Sequence, residues 1–160
     1  MKFITHHSIS RASDDAATLW ALASAHYPKS HSRFLDIATT HVIEKASSFA
    51  LNARRSMEVL DNNKSYKLKQ PRWRWNPEGH GDLVDNFREA CNRIVHAQEF
   101  QVGFEDLPDC EGFIKNGSQV IPYIRAETDY KELAFIDPFA LSYSFLYEVL
   151  PDLEQAKKKK

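Results

Sequence analysis

The stretch Ser32–Leu60, SRFLDIATTHVIEKASSFALNARRSMEVL, decides the fold class. Phe34, Ile37, Ala38, Val42, Ala46, Phe49, Ala50, Ala53, Met57 and Leu60 recur at spacings of three and four, which is one apolar stripe on a helix. Arg54, Arg55 and Glu58 fall mostly outside it, and no Gly or Pro interrupts the run. The spacing predicts a helix over 32–60, with a bend allowed near Ser47-Ser48.

Upstream, Ser13 or Asp14 is suited to cap a helix running to about Tyr27, with Ala17, Trp20, Ala21 and Ala25 on one face and Pro28 as its stop. Residues 1–10 read as a polar lead-in. Downstream, residues 61–79 carry turn chemistry at Asn62-Asn63, Pro71 and Asn76-Pro77, so they form a loop. A third helix is expected from about Asp82, its N-cap, to Gln101, burying Leu83, Phe87, Ala90, Ile94 and Ala97.

The pattern changes at about Gly103. Asn116-Gly117 lies between apolar stretches, a hairpin signal. Residues 120–125 alternate around Pro122 and suit an edge strand, Thr128-Asp129 makes a turn, and 131–136 is another strand. Asp137-Pro138 opens a last helix, with Pro138 at its first position, and Pro151 is expected to end it. The resulting expectation is a mainly α fold: a four-helix-bundle-like domain with a small antiparallel β-hairpin or meander, at about 103–136, before the last helix.

With 160 residues the chain suits a single domain, 1–160. Its 42% hydrophobic and 27% charged residues describe an ordinary globular protein. A net charge of −1 excludes a wholesale basic coat for nucleic acid and leaves room for a local patch. Cys91 and Cys110 make no disulfide framework, and neither a leader peptide nor a membrane-length apolar run is visible, so a cytoplasmic setting without membrane contact is expected. The final Lys157-Lys158-Lys159-Lys160 reads as a frayed, solvated tail. His6, His7, His26, His31, His41 and His80 invite a metal reading, but His26 and His31 about Pro28 have no matched carboxylate or thiol spacing; no metal and no cofactor is expected.

Two features bear on chemistry. Arg88, Asn92 and His96 lie at four-residue spacing along one side of the third helix, with Arg93 bordering it. Arginine grips phosphate with a fork of N–H donors, histidine shuttles protons near neutral pH, and asparagine orients oxygens. Such a set suits metal-free cleavage of RNA, with the 2′-hydroxyl as internal nucleophile. The plainer alternative is that His96 caps a helix interface and Arg88 pairs with Asp85 or Glu89. The loop at 64–75 interleaves basic and aromatic residues, and Lys67, Lys69, Arg72, Trp73, Arg74 and Trp75 are candidate nucleic-acid contacts. The alternative there is that Trp73 and Trp75 pin the loop to the helices.

The segment Arg88–Ala97, followed by a hairpin region and a last helix opening on Asp137-Pro138-Phe139, resembles HEPN-type proteins. These are small helical bundles, many of them metal-independent ribonucleases of toxin–antitoxin, phage-defence and CRISPR systems, others non-catalytic. Their motif is an arginine, often followed by a polar residue such as asparagine, with a histidine four to six residues beyond the arginine. Asn92 and His96 match; Cys91 stands at the arginine position, with Arg88 one turn early and Arg93 two residues late. The resemblance therefore implies, first, a non-catalytic binding or dimerisation module of a bacterial or phage defence or toxin–antitoxin type system. Its alternative is a metal-independent ribonuclease using His96, Asn92 and a nearby arginine, Arg88 or Arg93. It also implies a homodimer with motif helices facing each other, and RNA or a protein as partner.

Overall fold

The computed structural model describes residues 2–60, 64–68, 82–108, 114 and 117–158. Among these, helices α1 (Lys2–Ser24), α2 (Ser32–Met57), α3 (Phe87–Val95), α4 (Pro138–Ser144) and α5 (Leu150–Lys158) carry most of the chain. A π-helical turn, Phe145–Val149, joins α4 to α5, so the last two form one rod and the helical rods number four. Seven short strands accompany them: β1 (Tyr27–Pro28), β2 (Asp82–Leu83), β3 (Glu99–Val102), β4 (Glu105–Asp106), β5 (Ser118–Val120), β6 (Ile124–Thr128) and β7 (Lys131–Ile136).

The helix α1 runs through the stretch expected to be a lead-in. Its packed face is Ile9, Ala12, Ala16, Leu19 and Ala23, while Ala17 and Ala21 are exposed, so the expected face is rotated. The cause is Asp15, an acid on the packed side that breaks the apolar pattern. It is 1% exposed and accepts from Ser48 Oγ at 2.5 Å and Lys45 Nζ at 3.2 Å on α2. Ser13 is not a cap: its hydroxyl donates to Ile9 O at 2.8 Å within the helix. Residues 27–28, expected to close the helix, form β1 instead.

The start of α2 is where its stripe placed it, with His31 Nδ1 accepting from the Phe34 N–H at 3.2 Å as the cap. Phe49, at 0% exposure, meets Phe87 edge-on at 6.0 Å and Phe145 edge-on at 5.3 Å. Three rods thus share one aromatic centre, while Phe34 and Ile37 at the start of the stripe stay almost half exposed.

The third helix is nine residues, not twenty. Asn86 caps it, accepting from the Glu89 N–H at 3.0 Å, whereas Asp82 belongs to β2 and pairs parallel with β7. Beyond His96 the burial alternates from Glu99 to Val102, a period of two rather than 3.6, and β3 pairs antiparallel with β6. The sheet order is β2-β7-β6-β3, with a smaller sheet β1-β5-β4 beside it. Strands therefore come from well outside 103–136. The run expected as one strand is two, because Pro122 has no N–H to give a ladder and falls in the gap between β5 and β6. Gly117, at φ +107°, closes a tight turn through its N–H to Ile114 O at 3.1 Å, yet β5 pairs with β4 and β1 rather than with Ile114. Asn116 lies outside the described residues.

Immediately before the last rod, β6 and β7 form a hairpin whose two-residue tip is Asp129-Tyr130, with a register shift between Ala126 and Thr128. Asp137 then caps α4, its Oδ1 accepting from the Phe139 N–H at 2.8 Å and the Ala140 N–H at 3.3 Å. Pro151 does not end the rod. In the π turn the Leu150 N–H reaches back to Phe145 O, five residues away, so Pro151 falls in the first turn of a reset helix, where a missing N–H costs little. No helix is long and apolar enough to cross a membrane, among the described residues.

Candidate functional site

One face of α3 carries Glu89, Asn92, Arg93 and His96, and the opposite face buries Phe87, Ala90, Cys91 and Ile94. The polar face looks onto a cleft of about 360 Å³ whose other walls are Arg54 of α2 and Thr128, Asp129, Tyr130 and Lys131 of the β6–β7 hairpin. The nine-residue helix ends just in time to leave His96 exposed as its C-cap.

Arg54 Nη1 lies 3.3 Å from His96 Nε2. A guanidinium can only donate, so in this contact Nε2 is the acceptor. Across the cleft, Glu89 Oε1 accepts from Arg93 Nε at 2.9 Å and from Lys131 Nζ at 2.5 Å. That one carboxylate ties α3 to the hairpin. The Lys131 hydrogen bond, with help from Arg93 and against partial burial, holds its carboxyl below the usual range. Three cations therefore face two carboxylates, Glu89 and Asp129, and Glu89 is already shared between two of the cations. The cleft keeps a surplus of positive charge in a protein whose formal net charge is −1.

A depressed carboxylate stabilises the folded state above its unfolded pKa, about 4.3 for Glu, and loses that contribution as pH falls through the folded value. Glu89→Gln is therefore expected to lower stability modestly at pH 7, and the gap to the native chain should narrow as pH falls below about 4.3. Urea denaturation of both proteins across that pH range measures this; a gap that widens on acidification contradicts it.

The sequence-derived candidates divide. Asn92, Arg93 and His96 line the cleft together. Arg88 does not: it is half-buried one turn earlier, its charge is felt by Tyr66, and its Nη2 has no hydrogen-bond partner among the described residues. Glu89, offered as its ion-pair partner, instead holds Arg93 and Lys131. Lys67 is exposed, bridges to Asn86 through its backbone, and does not line the cleft. Lys69, Arg72, Trp73, Arg74 and Trp75 lie outside the described residues, as does Cys110. Cys91 is fully buried, and burial pushes its thiol up to about 12 although Arg54 and Arg88 pull the other way; it offers no thiolate.

Arg54, Tyr130 and Lys131 are the residues sequence reasoning missed. Arg54 is 42 positions from His96, and its signal was only that it fell outside the apolar stripe of α2. Tyr130 and Lys131 needed the hairpin to be folded back on α3. No group of three or more metal-ligating side chains is present among the described residues.

No known protein family, no curated protein and no solved structure matches this chain.

Proposed function

We propose that the chain is a HEPN-like binding module with a bundle-like helical layer, and that its cleft engages an RNA phosphodiester. One observation carries the reading: Arg54 is hydrogen-bonded to an exposed His96 inside an open, positively biased cleft that Asn92, Arg93 and Lys131 also line. Arginine and lysine donors converge on a volume that takes one nucleotide-sized group, at the low end of ligand pockets of roughly 300–1,000 Å³. The resemblance adds a second copy of the chain facing the first across the motif helices, with RNA or a protein as partner.

The same contact favours a second reading, metal-free RNA cleavage. An arriving phosphate competes for the Arg54 guanidinium and draws it off the imidazole, which frees the Nε2 lone pair. That nitrogen takes the proton of the 2′-hydroxyl, the 2′-oxygen attacks phosphorus, and the bond to the 5′-oxygen breaks. The products are a 2′,3′-cyclic phosphate and a 5′-hydroxyl, whose proton comes from solvent. Arg54 and Arg93 balance the charge that builds on the phosphoryl oxygens, and Asn92 orients the reacting hydroxyl.

Titration of a labelled single-stranded RNA at several salt concentrations tests the binding reading. Arg54→Ala should weaken affinity for every sequence alike and flatten the slope of log K against log salt by roughly 0.7, one phosphate contact on a single strand. An unchanged affinity and slope would remove the cleft from the RNA path.

A further inference from the structure

The tip of the β6–β7 hairpin places its tyrosine where neither folding nor turn formation accounts for it. Tyr130 is 94% exposed, the most open of the large apolar side chains among the described residues. Two-residue hairpin tips favour Gly, Asn or Asp, and Asp129 meets that demand while Tyr130 does not. No aromatic ring stacks on it among the described residues, whereas Tyr123 meets Phe135 and Tyr143 meets Tyr147. Yet Tyr130 lines the same cleft as Arg54, Arg93 and His96, and its chain neighbour Lys131 is anchored to α3 through Glu89. The register shift between Ala126 and Thr128 lies just before this tip, and such irregularities re-aim a strand end toward a site.

We propose that Tyr130 is a stacking platform for an unpaired nucleobase whose phosphate sits against Arg54 and Arg93. The inference rests on the phosphodiester reading of the cleft and deepens it. An open phenol face beside a cation cluster is the pairing that single-stranded nucleic-acid sites use: cations hold the backbone, and a ring holds the base whatever its identity. The Glu89–Lys131 pair ties the hairpin to α3, so the tip that carries the ring is held beside the phosphate donors. A base locked in a duplex cannot lay its face on the ring, so the platform selects unpaired nucleotides.

The test uses the full chain and two fluorescein-labelled oligonucleotides of equal length, one a 2′-O-methyl oligouridylate that resists cleavage, the other the same backbone without bases. The native protein should prefer the base-bearing strand by about tenfold, the lower part of what one stacked base contributes. Tyr130→Ala should bind the two strands alike, and Tyr130→Trp should keep the preference. If Tyr130→Ala retains the native preference, or if the native protein binds both strands equally, the platform is refuted while the phosphodiester site stands. If the native protein binds neither strand, the reading of the cleft falls and the platform with it.

Discussion

On the second reading of the cleft, metal-free RNA cleavage, His96→Ala is expected to slow the reaction by roughly 10²–10⁴-fold, the usual weight of one positioned acid–base group. The assay is gel separation of a labelled RNA in chelator, with the 2′,3′-cyclic phosphate identified among the products. Because His96 is exposed and caps α3 with its backbone N–H to Asn92 O at 3.1 Å, the alanine keeps the cap and the fold. Loss of rate then reports chemistry and not unfolding, which circular dichroism verifies. Identical cleavage by both proteins would mark a contaminant, and no cleavage by either would leave the binding module alone standing. Arg54→Ala separates the two roles further. In an enzyme it lowers the rate as well as the affinity, whereas in a binding module only affinity changes.

The second large effect is on stability. Phe49→Ala is expected to cost about 3–5 kcal/mol, because the ring fills the junction of α2, α3 and the π turn and leaves a cavity its neighbours cannot close. Phe87 and Phe145 each lose an edge-on partner, and they already stack on one another at 6.2 Å, so neither is free to move into the gap. At about 2–4 °C per kcal/mol for a chain of this length, the melting temperature should fall by roughly 10 °C. A thermal melt that drops by only a degree or two would mean that the aromatic centre is not where the three rods are joined.

How much of this was legible depends on which periodicity each residue obeyed. The apolar stripe of α2 was readable because helix period and burial coincide from Ala38 to Met57. That of α1 was hidden, because Asp15 occupies a packed position where pattern reading expects an apolar one. The third helix was overextended because residues 97–101 satisfy a helical and a strand pattern equally in so short a window, and the partner strand β6 decided the matter. Pro151 reads as a stop in any local rule; only the five-residue hydrogen bond of the π turn makes it a restart. At the cleft, Asn92, Arg93 and His96 were visible as neighbours on one helix. Arg54 and the Asp129–Lys131 tip reach them through tertiary contacts that no spacing encodes.

The acid beneath α1 has a consequence for how α1 and α2 are set against each other. Ala12 and Ala16 on one rod and Ala46, Ala50 and Ala53 on the other make a smooth seam, on which several settings of the two rods would be nearly equal. Asp15 is satisfied at only one of them, where Ser48 and Lys45 stand opposite, so it works as a detent. Sliding by one helical turn, about 5.4 Å, would part Asp15 from both of them. The acid thereby fixes the setting of α1 on the same helix that, six residues beyond Ser48, presents Arg54 to His96.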